Sequence, residues 1–323
     1  MTEKANHNLQ VTADGRLKHL LTLNGLGKDF ISHLLDRAET YLRQTGTLPA
    51  RDYGLQGRTV ANLFFEPSTR TRASFELAAK RMSADVLNLD VKTSSRTKGE
   101  SLLDTIYTLQ AMQVDVFVVR DAGAGIPEFI VNNIQPHVSV LNAGEAAVSH
   151  PTQGLLDMLT IRQHKGRLDN LKVTIIGDIG HSRVASSLYH GLSTMGENEI
   201  RFVAPPGMEP DMSLHPDATL YDNADEAVSG ADVLVALRIQ RERIDDPSGI
   251  PSEAEYMERY GLNSERVALA ASDAIVMHPG PMNRGTEITA EVADGPQSVI
   301  TQQVTNGLAV RMAVLSAVME AAR

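Results

Sequence analysis

The residues with the clearest chemical potential form the run Ser68-Thr69-Arg70-Thr71-Arg72. The run follows an apolar segment that ends at Phe65, which predicts a strand, a turn at Pro67 and then a helix. N–H groups at a helix start attract anions, and arginine binds phosphate or carboxylate through two parallel hydrogen bonds. The run therefore predicts an anion site, and the alternative is an ordinary Ser/Thr helix cap with solvated arginines.

Three further segments carry polar side chains where ligands could bind. Arg120 follows a predicted strand, at the edge where open parallel sheets bind ligands. His150 and Gln153 are three residues apart at a predicted helix start and share a helix face. Arg238 and Gln240 alternate along an extended, charge-rich segment. The ordinary alternatives are a solvated strand end for Arg120, a His-Pro turn for His150 and a solvated charged face for Arg238 and Gln240.

The segment Val173–Arg183 is similar to the start of a dinucleotide-binding fold but lacks its glycines. The pattern requires glycine at three positions, and Ile179 and Ser182 occupy two of them. The next predicted strand leads into Ala204-Pro205 and supplies no acidic residue for a ribose. We therefore do not expect NAD binding. The motifs of zinc peptidases, P-loop NTPases and serine esterases are also missing from the sequence.

Apolar runs rich in β-branched residues alternate with helical stretches, which predicts two doubly wound parallel-sheet α/β domains. The predicted strands are Val60–Phe65, Val86–Leu89, Val114–Val119, Val138–Asn142, Val173–Ile176, Ile200–Val203, Val233–Leu237 and Ile275–His278. The predicted helices are Thr71–Met82, Ser101–Met112, Ile126–Ile134, Gln153–His164, Arg183–Met195, Ala224–Val228, Ser252–Tyr260 and Gln303–Ala322. Residues 1–150 would form the first domain and residues 151–300 the second, with a last helix at about 301–323 packing back on the first.

Length, amino-acid composition and net charge limit the classes of protein to which this chain could belong. The 323 residues, 42% hydrophobic and 22% charged, are typical of a soluble globular chain with two domains. The net charge of −10 argues against a general nucleic-acid or anionic-membrane binder. The chain has no cysteine, which excludes disulfides, thiolate metal sites and cysteine nucleophiles. The polar start and the absence of an uninterrupted apolar run of about 18 residues favour a cytoplasmic protein without a membrane span.

Taken in chain order, these motifs resemble the transcarbamoylase family. The run at 68–72 resembles its carbamoyl-phosphate signature, and His150-Pro151-Thr152-Gln153 resembles its second shared element. His278-Pro279-Gly280-Pro281 and Arg238-x-Gln240-x-Glu242-Arg243 are similar to the aspartate branch. The His-Cys-Leu-Pro segment and the Asp-x-x-x-Ser-Met-Gly loop of the ornithine branch do not occur. The resemblance extends from about residue 60 to the C-terminus.

The resemblance implies an active site in the cleft between the two domains. The residues that it assigns to carbamoyl phosphate are Ser68, Thr69, Arg70, Thr71, Arg120, His150, Gln153, Gly280 and Pro281. Within this set Arg70, Thr71, Arg120 and His150 would be catalytic, and Gly280 and Pro281 would use their backbone carbonyls. The residues that it assigns to L-aspartate are Lys98, Arg183, Arg238 and Gln240.

The resemblance also implies an assembly and a movement. The sites would be shared in a homotrimer, with Ser94 and Lys98 supplied by the neighbouring subunit. The sequence leaves open whether regulatory or dihydroorotase-like chains add to it in a larger dodecamer. Domain closure would join Glu66 to Arg183 and Arg243, and the alternative is that Glu66 caps its own loop.

The implied reaction transfers the carbamoyl group of carbamoyl phosphate to the amine of L-aspartate. It yields N-carbamoyl-L-aspartate and phosphate, the committed step of pyrimidine (UMP) biosynthesis, and it needs neither a metal nor an organic cofactor. Two alternatives remain: a transcarbamoylase for another amine, such as ornithine or an acylated ornithine, and a non-catalytic binding homologue.

Overall fold

The computed structural model describes residues 3–43, 46–90, 99–244 and 249–321, and its strands form two parallel sheets. The first sheet has the order β2-β1-β3-β4, with β1 (Thr59–Phe64), β2 (Asp85–Asp90), β3 (Val116–Asp121) and β4 (Ser139–Glu145). The second has the order β7-β6-β5-β8-β9, with β5 (Lys172–Ile176), β6 (Glu199–Val203), β7 (Ala218–Tyr221), β8 (Val233–Ala236) and β9 (Ile275–Met277). The predicted parallel α/β class is confirmed.

Helices connect the strands and cover the sheets. They are α1 (Glu3–Gln10), α2 (Lys28–Tyr41), α3 (Thr69–Arg81), α4 (Leu102–Ala111), α5 (Ile126–Val131), α6 (Pro151–Lys165), α7 (Arg183–Met195), α8 (Ala224–Val228), α9 (Glu253–Arg259), α10 (Ser264–Val267), α11 (Ala290–Ala293) and α12 (Ile300–Ala321). Two short 3₁₀ turns, Met212–Leu214 and Arg241–Arg243, lie in the second half of the chain.

The chain separates into two compact units. One comprises Met1–Leu155 with Thr305–Arg323, and the other comprises Leu156–Val304. The core of the first unit includes Phe117 and Val140, and the core of the second includes Leu234. Both faces of the central strands are buried, which explains why their sequences are almost continuously apolar.

Several elements were not predicted from the sequence, and α2 and β7 are two of them. The helix α2 buries Ile31, Leu34, Leu35 and Ala38, a spacing of three and four residues that identifies an amphipathic helix. The strand β7 lies at the sheet edge, and the side chains of Thr219 and Leu220 are exposed there. An edge strand with so little burial lacks the apolar pattern from which the other strands were predicted.

The last helix, α12, is long and apolar enough to cross a membrane by length and composition, with a mean hydropathy of 1.2 over 18 residues. However, 61% of that window is buried inside the protein. In the first unit, the Arg37 guanidinium donates to the Ser316 hydroxyl and forms an ion pair with Glu320 at 2.7 Å. Burial of this kind is typical of a core helix.

The strand order creates a switch point in each sheet. In the first sheet β2 and β3 lie on opposite sides of β1, and in the second β6 and β8 lie on opposite sides of β5. Open α/β sheets bind ligands outside the carboxyl ends of their strands at such points. The segments that follow β1, β3, β5 and β8 are therefore the expected positions of a functional site.

Candidate active site

The helix α3 begins at the switch point of the first sheet, directly after β1. Its N-cap residue is Ser68, whose backbone is extended and whose side chain makes no capping hydrogen bond. The first turn of α3 contains no acidic residue, and it carries Arg70 and Arg72. A helix N-terminus with nearby guanidinium groups and no carboxylate favours an anion. The simple capping role considered from the sequence is thus not what the Ser68 side chain does.

The guanidinium of Arg120 contacts the same segment. Its terminal nitrogens donate to Glu66 Oε1 at 3.0 Å and to the Ala143 carbonyl at 3.3 Å. The Arg120 carbonyl accepts from Phe65 N–H at 2.8 Å, which continues the pairing of β1 with β3. The Arg120 and Glu66 side chains are only 12% and 22% exposed. The structure therefore brings Arg120 and the start of α3 to one edge of the first sheet.

The pairing of Glu66 with Arg120 was not predicted from the sequence. The two residues are 54 positions apart, and only the adjacency of β1 and β3 makes them neighbours. The predicted bridge from Glu66 to Arg183 and Arg243 stays a prediction.

His150 and Gln153 lie at the start of α6, after β4. A short turn returns from Glu145 at the end of β4 to Ser149, and α6 begins two residues later at Pro151. The His150 carbonyl accepts from Gln153 N–H at 2.9 Å, and both side chains are buried. Since β4 neighbours β3, this turn lies at the same sheet edge as Arg120.

In the second sheet, the segments after β5 and β8 approach each other very closely. Gly177 has φ of +131°, and a Cβ atom there would lie 2.3 Å from the Leu237 carbonyl and 2.9 Å from the Tyr256 hydroxyl. Only glycine fits this approach. The glycine of the dinucleotide-like segment thus has a packing reason within its own unit.

Asp178 joins these two segments. This fully buried carboxylate accepts from Gln240 N–H at 2.8 Å through Oδ2, and its Oδ1 lies 2.7 Å from His181 Nδ1. In turn, the Gln240 amide and the Arg243 guanidinium donate to the His181 carbonyl at 2.8 and 2.7 Å. The turn after β5 and the loop after β8 therefore form one hydrogen-bonded unit.

Asp178 and His181 were not predicted from the sequence as members of this site. The signal was present, because an acidic residue directly after a buried strand sits at the ligand-binding edge of a parallel sheet. The departure of the surrounding segment from the dinucleotide pattern obscures this signal.

Three guanidinium groups lie on the joined segments. Arg183 is buried as the first residue of α7, Arg243 contacts His181, and Arg238 is bound to Glu242. The second Arg238–Glu242 hydrogen bond makes this ion pair bidentate. Hydrogen bonding to Glu242 raises the pKa of Arg238, and the same bond lowers the pKa of the Glu242 carboxyl. Such a cluster is suited to carboxylate ligands.

The remaining predicted residues fall in two places. Gly280 and Pro281 belong to the turn that follows β9 in the second unit, and the peptide bond between them is cis. Ser94 and Lys98 lie outside the described residues. Within the described parts of the chain, no group of three or more His, Asp or Glu side chains is placed to hold a metal ion.

Sequence comparison with known families covers both units. Residues 18–163 match the family model for the carbamoyl-P binding domain of aspartate/ornithine carbamoyltransferase, and residues 169–318 match the one for its Asp/Orn binding domain. The chain belongs to the aspartate/ornithine carbamoyltransferase family. The predicted family is therefore confirmed, and the segment after β1 lies in the part of the chain that matches the carbamoyl-P binding domain.

Solved structures of both branches of the family are similar to this chain. Aspartate transcarbamoylase from Trypanosoma cruzi in complex with carbamoyl phosphate and aspartate is 31% identical, with 96% of this chain and 99% of that chain covered and a TM-score of 0.84. Its complex with N-(phosphonacetyl)-L-aspartic acid has the same TM-score at 30% identity, with 96% of this chain and 98% of that chain covered. Ornithine carbamoyltransferase from Thermus thermophilus is 29% identical, with coverages of 94% and 99% and a TM-score of 0.81.

Proposed function

We propose that this carbamoyltransferase uses L-aspartate as its acceptor and forms N-carbamoyl-L-aspartate and phosphate. The observation that carries the proposal is the cluster of Arg183, Arg238 and Arg243 on the segments joined by Asp178. Aspartate offers two carboxylates, and each arginine can bind a carboxylate through two hydrogen bonds. Ornithine has one carboxylate and a cationic side chain, which these guanidinium groups would repel.

The carboxylates of this cluster do not favour ornithine. Asp178 is buried and bonded to His181 and Gln240, while Glu242 is bonded to Arg238. The Asp178 carboxylate already accepts hydrogen bonds within the protein, and Glu242 lies beside the Arg238 guanidinium, which would repel a second cation. The similarity to an ornithine enzyme still makes ornithine the second candidate, and a non-catalytic binding homologue is the third.

For the other substrate, we assign the phosphate of carbamoyl phosphate to the start of α3. Ser68, Thr69, Arg70 and Thr71 supply hydroxyl, guanidinium and backbone N–H donors at an electropositive helix end. Arg120 lies at the same edge, where Glu66 orients it. The relatives crystallised with carbamoyl phosphate support this choice of ligand.

The proposed reaction is attack of the aspartate amine on the carbamoyl carbon. Negative charge then develops on the carbamoyl oxygen, and Thr71, Arg120 and His150 would donate to it, each donor contributing about 2.7–4 kcal/mol. Gln153 and the carbonyls of Gly280 and Pro281 would accept from the carbamoyl amide. Orientation of two bound reactants supplies up to roughly 7–11 kcal/mol more. Phosphate leaves and accepts the amine proton.

The proposal requires the residues at the start of α3 and the three arginines Arg183, Arg238 and Arg243 to act on one pair of bound substrates. The proposed reaction needs no metal or organic cofactor.

We extend the proposal to a homotrimer in which Ser94 and Lys98 serve a neighbouring site, and to a role in pyrimidine biosynthesis in the cytoplasm. The family resemblance supports the trimer and the pathway, and the cysteine-free acidic composition supports the compartment.

The decisive experiment incubates the protein with carbamoyl phosphate and single amino acids while phosphate release and the ureido product are followed. We expect aspartate to react far faster than ornithine or an acylated ornithine. Equal or faster reaction with ornithine would make this an ornithine enzyme, and no release with any amine would favour the binding homologue.

A matched pair of variants locates the aspartate site. Arg238→Ala removes the guanidinium proposed to bind aspartate, so the KM for aspartate should rise by at least about tenfold. Arg241→Ala changes an exposed arginine in the adjacent 3₁₀ turn and should leave that KM unchanged.

A further inference from the structure

A buried imidazole and a buried carboxylate accept hydrogen bonds from the turn that carries Gly280 and Pro281. His278 directly follows β9, and its Nε2 lies 3.1 Å from Glu287 Oε1. Both side chains are only 1% exposed. Neither residue is among the proposed substrate contacts, so the pair needs a role of its own.

The hydrogen bonds determine which ring nitrogen of His278 carries the proton. Gly280 N–H donates to His278 Nδ1 at 2.8 Å, and a backbone N–H can donate only to a nitrogen with a free lone pair. Nδ1 is therefore unprotonated. The proton lies on Nε2, where it faces the Glu287 carboxylate. Glu287 thus orients the ring and selects the tautomer.

Glu287 also holds the other side of the turn. Its Oε1 accepts from Asn283 N–H, so the pair binds the backbone on both sides of Pro281 and Met282. The ends of the segment are anchored too. His278 N–H donates to the Gln303 amide oxygen at 2.9 Å, and the Glu287 carbonyl accepts from Leu262 N–H at 2.9 Å.

We infer that His278 is a positioning residue for carbamoyl transfer. As the Nε2–H tautomer oriented by Glu287, it holds Gly280 N–H and thereby directs the Gly280 and Pro281 carbonyls toward the carbamoyl amide. The inference rests on the proposed function for the role of these two carbonyls. It adds the residues that fix their direction.

Two amide substitutions separate the two functions of the ring. His278→Asn offers an oxygen to the backbone N–H two residues ahead, as asparagine does in turns, but does not reach Glu287. His278→Gln reaches Glu287 with an amide donor but places no acceptor at the Nδ1 position beside Gly280 N–H. We expect His278→Asn to retain kcat within about fivefold, and His278→Gln to lose at least about tenfold while the melting temperatures of the two variants stay similar. Equal losses in kcat, or losses that follow the melting temperatures, would show a structural role only and overturn the inference.

Nitrogen NMR of the His278 ring gives a readout that does not depend on turnover. The ring should show the Nε2–H tautomer in the parent and in Glu287→Gln, which keeps an oxygen acceptor. An Nδ1–H tautomer in the parent would overturn the inference while leaving the proposed function intact. Conversely, a parent protein that transfers no carbamoyl group to any amine would contradict the proposed function, and the positioning role would fall with it.

Discussion

The Arg120 guanidinium and the Glu66 carboxylate form an ion pair at 3.0 Å, at the edge of the first sheet where α3 begins. Both side chains are mostly buried, so water screens the pair less than it would screen an exposed one. Glu66 therefore holds a cation beside the electropositive start of α3. Without that carboxylate, Arg120 would be repelled from the helix end before an anionic substrate arrives.

Glu66 can be tested with two substitutions of different severity. Glu66→Gln keeps an oxygen acceptor for Arg120, so the KM for carbamoyl phosphate should change less than about threefold. Glu66→Ala removes the acceptor, so the same KM should rise by at least about tenfold as Arg120 loses its orientation. Steady-state kinetics with varied carbamoyl phosphate measures both, and identical KM values for the two variants would contradict the orienting role.

Arg70 is expected to bind the phosphate directly. Arg70→Ala removes a charged donor worth about 1.5–3 kcal/mol, which predicts at least a tenfold loss in kcat/KM for carbamoyl phosphate. Lys80→Ala is the matched control, because Lys80 lies in the last turn of the same helix and pairs with Glu76. Normal kinetics in Arg70→Ala would mean that Arg70 is an ordinary surface arginine.

Asp178 is expected to influence both stability and aspartate binding. Asp178→Asn replaces one carboxylate oxygen with an N–H donor, which then faces Gln240 N–H or the His181 ring. A buried mismatch of this kind costs about 1–3 kcal/mol, so the melting temperature should fall. The KM for aspartate should rise more than the KM for carbamoyl phosphate. Asp178 joins only the two segments that carry Arg183, Arg238 and Arg243, and it has no part in the proposed phosphate site. Equal increases in the two KM values would contradict this assignment.

The proposed sharing of sites predicts complementation between inactive subunits. Lys98→Ala and His150→Ala should each be nearly inactive as pure proteins. Reassembled mixtures should recover part of the activity, because some interfaces then pair an intact lysine with an intact histidine. Mixed trimers verified by mass that stay inactive would place Lys98 in the site of its own subunit.

The buried His19 side chain should make the folding stability of the first unit fall at acidic pH. Burial lowers its pKa from 6.5 to about 3, and its Nδ1 accepts from Val140 N–H at 3.0 Å. Below about pH 6.5 the unfolded chain binds a proton on this ring and the folded chain does not, so stability falls as the pH drops toward 3, by about 1.4 kcal/mol per pH unit. His19→Asn keeps an acceptor without titrating. Urea unfolding between about pH 7 and pH 5 should show a weaker pH dependence in this variant, and an unchanged dependence would contradict the role of His19.

Local physics explains what could be predicted from sequence. The run at 68–72 predicts an anion site because a helix start, its hydroxyls and its arginines are all within one turn of chain. Strands such as Val60–Phe65 were predicted to within one residue at each end, because a strand buried on both faces requires a continuous apolar run. Motif order then sufficed to identify the family.

The contacts between distant residues required the tertiary structure. Asp178 and Gln240 are 62 positions apart, and they meet only because β8 pairs with β5 rather than with β7, which precedes it in the chain. The same holds for Glu66 and Arg120 and for the tautomer of His278, which depends on how the turn after β9 folds back. Residue types and spacing determined which groups could bind two anionic substrates. Strand order decided which of those groups are neighbours, because the choice of strands that pair depends on packing of the whole sheet and not on any single segment.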